Sequence, residues 1–163
     1  MKKFIAFLVL ALLIAAGPSF ALSCKTGNSG SDECWTNVKI SPLETRPITQ
    51  GVVLVADFSD DNADDAAYQV RAADASADGA HVIGVAQGNI ATGDRGVALV
   101  RGQGKIRVKT NNAYSSGDML FVSTSADATT SIVTGNKPVA FALAAQTASG
   151  NTSATKDAYI VIV

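Results

Sequence analysis

The chain has 163 residues, with 13 basic and 14 acidic side chains, a formal charge of −1 and 47% hydrophobic content. That length suits one domain with a real core. The near-neutral balance, with no basic run and no clustered Arg or Lys, lacks the electrostatic footprint of nucleic-acid binding.

Lys2 and Lys3 open the chain, Phe4 to Ala16 is unbroken apolar sequence, and Gly17-Pro18 breaks it before Ser19-Phe20-Ala21. This three-part pattern predicts a cleavable export signal over residues 1–21. The apolar run is about 13 residues, short of the roughly 20 that a bilayer-spanning helix needs. No later apolar stretch is longer, so no membrane span is expected.

Residues 22–50 read as an N-terminal arm. It holds the two cysteines, Cys24 and Cys34, with the polar loop KTGNSGSDE between them. Export to an oxidising compartment and the even count favour a disulfide. A loop this size stabilises by roughly 2–3 kcal/mol in the chain-entropy description. A rival reading stays open: Phe20-Ala21-Leu22-Ser23-Cys24 also resembles a degenerate lipoprotein signal, which would make Cys24 a lipid anchor and leave Cys34 alone. Trp35 to Ile40 is a short strand, with Trp35 placed to cover the disulfide or one end of the core. Pro42 and Pro47 mark extended backbone.

Residues 51–163 read as the barrel domain. Gly51 to Ala56 is an apolar strand. Ala67 to Ala72 alternates with the period of a half-buried strand, and His81 to Ala86 is another. Val97 to Val100 and Lys105 to Lys109 flank Gly102-Gln103-Gly104, which predicts a hairpin. Lys105, Arg107 and Lys109 share a wet face, and Ile106 and Val108 a dry one. Met119 to Val122, Ser131 to Val133, Val139 to Leu143 and Tyr159 to Val163 follow, separated by turn clusters. Nine or ten short strands at this spacing indicate an all-β fold, a single small antiparallel barrel or sandwich. The one candidate helix is Asp60 to Ala67, with Ser59 as its cap. A weak internal echo pairs Val82–Gln87 and the strand after it with Phe141–Gln146 and its following strand. An exposed aliphatic terminal strand invites aggregation, so Tyr159–Val163 is expected to be paired, within the barrel or with a neighbour.

Catalytic chemistry finds little purchase. His81 is the only histidine, and no nucleophile elbow or phosphate loop is present. No enzyme activity and no cofactor are expected. Asp57, Asp60, Asp61, Asp64 and Asp65 make a weak calcium candidate. Their spacing does not match the calcium-binding helix–loop–helix, and a solvated acidic loop is the plainer reading. Asn151-Thr152-Ser153 is a glycosylation acceptor only in a eukaryotic secretory route.

The run Val100-Arg101-Gly102, Ala113, Ser116-Gly117-Asp118-Met119-Leu120-Phe121, Gly135-Asn136 and Ser149-Gly150-Asn151, with its terminal aliphatic strand, resembles the small β-barrel head-decoration (capsid cement) proteins of tailed bacteriophages. The likeness extends loosely back to Gly51. It implies a barrel that self-associates, commonly as trimers, on a protein lattice, with no catalytic residues. The export signal and the cysteine arm depart from that pattern, since a virion protein assembled in the cytoplasm needs neither. The expectation is an exported structural protein whose partner is itself or a lattice; a virion location comes from the resemblance alone. The competing expectation is a secreted monomeric ligand- or glycan-binding module. Against it, only seven aromatics lie beyond the signal, mostly at core-like strand positions.

Overall fold

A computed structural model describes residues 22–26, 32–59, 69–74, 81–123, 127–129 and 137–162. The expected export signal at 1–21, the candidate helix at 60–67 and the strand expected at 131–133 lie outside them. The described residues contain ten strands: β1 (Ser23–Thr26), β2 (Asp32–Ile40), β3 (Val53–Ala56), β4 (Gln69–Ala72), β5 (Val82–Ala86), β6 (Arg95–Lys109), β7 (Met119–Val122), β8 (Ala128–Thr129), β9 (Pro138–Ala142) and β10 (Ser153–Val161). They hold no α-helix, so the fold is all-β.

The strands form one mostly antiparallel sheet in the order β1-β2-β4-β3-β5-β6-β10-β9-β7-β8, with β2–β6 and β6–β8 also paired. Those two extra pairings close the sheet on itself twice. The first ring runs β2-β4-β3-β5-β6 and back to β2. The second runs β6-β10-β9-β7-β8 and back to β6. The 15-residue β6 belongs to both. Closure satisfies backbone groups that an open edge would expose. The segment read as an arm thus supplies a ring strand, β2. The terminal β10 is paired on both sides, with β6 along its length and β9 near its end.

The two rings share one plan, residue for residue. Each begins with a strand that pairs in parallel with the third (Ile40↔Val70 in one, Val108↔Ala128 in the other). In each, the second strand pairs with the fourth through the same irregularity. Val53↔Val85, Leu54↔Gly84 and Val55↔Val82 correspond to Met119↔Phe141, Leu120↔Ala140 and Phe121↔Pro138, and the register slips after Leu54 and after Leu120. The turns correspond as well. The Ile48–Ile90 and Tyr114–Gln146 bridges precede Gly51 and Gly117, whose φ values are 88° and 91°. Each of these glycines donates its N–H to the fourth strand, to Ala86 O at 2.7 Å and to Ala142 O at 2.8 Å. The internal echo in the sequence is therefore structural, but its register is three residues different: Phe141 matches Val85, not Val82.

The hairpin expected at Gly102-Gln103-Gly104 does not form. β6 runs straight through these residues, because the glycines accommodate close approach instead of a turn. A Cβ on Gly102, at φ 123°, would meet Glu33 Cγ at 2.9 Å. Just before it, Cys34 pairs with Arg101 and Trp35 with Leu99, so Val100 is an extra residue on β6. Such a bulge re-aims the strand. Ala98 faces the first core, with Val38, Ile40, Ile48, Leu54, Val70 and Ala86. Leu99, on the outside of the first ring, joins the second core with Ile106, Val108, Leu120, Ala128 and Ile160. The outer face of one ring thus becomes the inner wall of the next.

Candidate assembly surface

The predicted site residues fall in separate places. Cys24 and Cys34 are joined in a disulfide that ties β1 to β2, with Cα atoms 4.0 Å apart. A disulfide is consistent with an oxidising, exported location. Trp35, next to it, is half-buried and packs on the second core. Of the acidic cluster, Asp60, Asp61, Asp64 and Asp65 lie outside the described residues. Asp57 is buried and accepts hydrogen bonds from Ser59 N at 3.0 Å and Ser59 Oγ at 2.5 Å. Burial raises its pKa, but hydrogen bonds from Ser59 and Ser41 outweigh this and hold it below the ordinary value. Asp57 thus caps its own loop. Among the described residues no cluster of three or more acidic, His or Cys side chains could hold a metal. His81 is exposed and sits edge-on to Phe58, with ring centroids 5.9 Å apart.

Sequence reasoning missed a polar knot at the first ring. The buried Glu44 carboxylate accepts from Arg46 Nη2 at 2.9 Å, Arg46 Nε at 3.0 Å and Ala72 N at 2.8 Å. Arg46 also donates to Ala72 O at 2.6 Å. Burial alone would raise the Glu44 pKa; Arg46 and the backbone donors bring it below the ordinary value. The two-residue spacing of Glu44 and Arg46 was visible in the sequence, but its partner in β4 was not. The knot fastens the β2–β3 connection to the sheet, and its hydrogen bonds are satisfied internally.

The surface that differs between the rings is more informative. One cross-strand row on the outside of the first ring is Trp35–Leu99–Val85–Val53. Leu99, Val85 and Val53 are each 0% exposed. The second half of β6 lies over this face. Arg107 N donates to Gly51 O at 2.9 Å, and a Cβ on Gly51 would meet Arg107 N at 2.7 Å. The Gln87 amide bonds to both Lys105 N and Lys105 O, at 2.8 and 2.9 Å.

The matching row on the second ring is Gln103–Tyr159–Phe141–Met119. Its three apolar members are larger than their first-ring counterparts, yet Met119 is 51% exposed, and Phe141 and Tyr159 are part-exposed. The position matching Gln87 is Leu143, 42% exposed. A Cβ on Gly117 would touch nothing within 4 Å, where Gly51 abuts backbone. At the rim, Lys105 and Asp157 pair across strands with Nζ–Oδ1 2.6 Å. An apolar centre with a polar rim has the anatomy of a protein interface. Neither a scan against models of known protein families nor a search of curated proteins finds a match for this chain.

Proposed function

We propose that this chain is an exported, non-catalytic structural protein that builds or stabilises a protein assembly through the outside of its double ring. The observation that carries the reading is the row Met119–Phe141–Tyr159, which lies open where the matching row of the first ring is covered. Leaving such side chains in water forgoes roughly 25 cal/mol for each Å² of apolar surface that could be buried. The filled interiors support the same reading. Ile40, Leu54, Ile106, Leu120 and Ile160 are at most 1% exposed and occupy the space where a small barrel could hold a ligand. The Gly117-Asp118 turn and its neighbours, which resemble those of capsid cement proteins, extend the proposal to a protein lattice such as a virion shell.

Sedimentation of the exported protein as its expressing cells release it tests this. The expected result is recovery in particles much heavier than a single chain. Recovery only as a free monomer that binds a glycan or small ligand overturns the assembly reading in favour of a binding module.

A further inference from the structure

We propose that Met119 is an oxidation site that switches the open row: a hydroperoxide converts its thioether to the sulfoxide, and the sulfoxide weakens docking there. The modification stands on the structure alone. Its effect on docking rests on the assembly reading and names how that same surface is regulated.

Sulfur chemistry singles this residue out. The chain holds two cysteines and two methionines. Cys24 and Cys34 are already joined to each other, and Met1 opens the expected export signal. Beyond that signal, Met119 is therefore the one sulfur still in its reduced form. Its side chain is 51% exposed, at the first position of β7. Methionine oxidation follows access to the oxidant, and here no part of the fold has to open to grant it. The matching residue of the first ring is Val53, which is 0% exposed. The same strand position is thus built with a hydrocarbon where the row is covered, and with a thioether where the row is open.

The step is a two-electron oxidation. One oxygen atom passes from the peroxide to Sδ of Met119, the peroxide O–O bond breaks, and the remainder leaves as water or an alcohol. A flexible apolar side chain becomes a polar, chiral one, and a sulfoxide reductase reverses the change. The new oxygen appears beside Phe141, the direct cross-strand partner of Met119, with Tyr159 next along the row. At the rim, Lys105 and Asp157 already pair with each other. A partner that closes over apolar side chains would bury this oxygen among them, and a polar group buried without a hydrogen bond opposes association.

Peptide mass mapping after mild hydrogen peroxide treatment tests the site, on the free disulfide-bonded chain and on heavy particles recovered by sedimentation. The free chain should gain one oxygen atom, at Met119, at roughly half the rate of the unfolded chain, in line with its exposure. In the particles the rate should fall at least about 10-fold, because covering the side chain removes access. Met119→Gln and Met119→Thr put a polar side chain at the same place and should be depleted from the particles. Met119→Leu should enter them like the wild type and ignore peroxide. All three should keep the wild-type circular-dichroism spectrum, and the two polar variants guard against one that fails to fold. Oxygen gained elsewhere, or not at all, overturns the site. Polar variants that assemble like the wild type, or a Met119 that reacts equally fast in particles and free chain, overturn the switch and leave assembly standing through another face. A wild type found in no heavy particle overturns the assembly reading and the switch together, with the oxidation site read separately from the mass map.

Discussion

At the scale of single residues, the paired rings act as their own control. Gly51 and Gly117 occupy the same turn with nearly the same φ, 88° and 91°. Replacing either by Ala forces a side chain into the left-handed region, at a cost of roughly 1–2 kcal/mol. Only at Gly51 does the new Cβ also strike backbone, Arg107 N at 2.7 Å and Ile106 C at 2.9 Å. Overpacking of this kind adds about 1–3 kcal/mol. Chemical denaturation should therefore show Gly51→Ala losing clearly more stability than Gly117→Ala; equal losses would mean that β6 does not press on the first ring's turn. Charge at the residue scale predicts the response to acid. The pKa of Glu44 and of Asp57 is lowered on folding. Their contribution is therefore complete above the ordinary carboxylate pKa of about 4 and is lost as pH falls through the lowered values. Glu44→Gln should cost about 2 kcal/mol near neutral pH, through charged hydrogen bonds weakened at Arg46 and Ala72. It should also flatten the fall in stability below about pH 4. An unchanged acid profile would place the carboxylate outside the knot.

At the scale of elements, sequence pattern reads alternation well and long-range partnership poorly. Gly51 to Ala56, the half-buried Lys105–Lys109 run and the terminal strand were all visible, because a period of two and clustered β-branched residues belong to each strand alone. β6 was misread for a physical reason. A Gly-x-Gly run between two alternating segments serves equally for a turn and for a strand that needs room for its neighbours. Only the neighbours, Glu33 at Gly102 and Leu99 at Gly104, decide between them. The disulfide was legible from compartment and count; the polar knot was not, since Glu44 finds Ala72 only once β2 and β4 pair in parallel. A shared strand also has a measurable consequence. β6 is bonded to β2 and β5 in one ring and to β10 and β8 in the other. The first ring holds Arg95–Arg101 and the second Arg101–Lys109, so the amides around their junction at Arg101 lose all their partners only when both rings open. Hydrogen exchange should place them in the slowest class, with β1, paired only with β2 among the described residues, far faster. Central β6 amides exchanging with the speed of β7 or β9 would contradict the double ring.

At the scale of the whole molecule, the open question is whether two rings make one cooperative unit. Fold class was readable from strand spacing, but the repeat was almost hidden. Val53, Val85 and Leu99 share no identity with Met119, Phe141 and Tyr159, because the two rows lie in different surroundings, one inside the molecule and one at its surface. What the rings keep in common is backbone geometry: two positive-φ glycines, two bridges and two register slips. Repeat proteins with weak interfaces between units melt in steps, whereas strong coupling gives one transition. Here the coupling is strong on two counts. The rings share a strand, and the second core takes in Val53, Val55, Val85 and Leu99 from the first. Leu54→Ala empties the first core and Leu120→Ala the matching place in the second; each removes a fully buried side chain and should cost about 2–5 kcal/mol. In calorimetry both variants should shift one common transition to lower temperature, with calorimetric and van't Hoff enthalpies in agreement. If each variant instead moved a separate transition and left the other in place, β6 would be a hinge between two independent barrels, and the covered row of the first ring would owe nothing to the second.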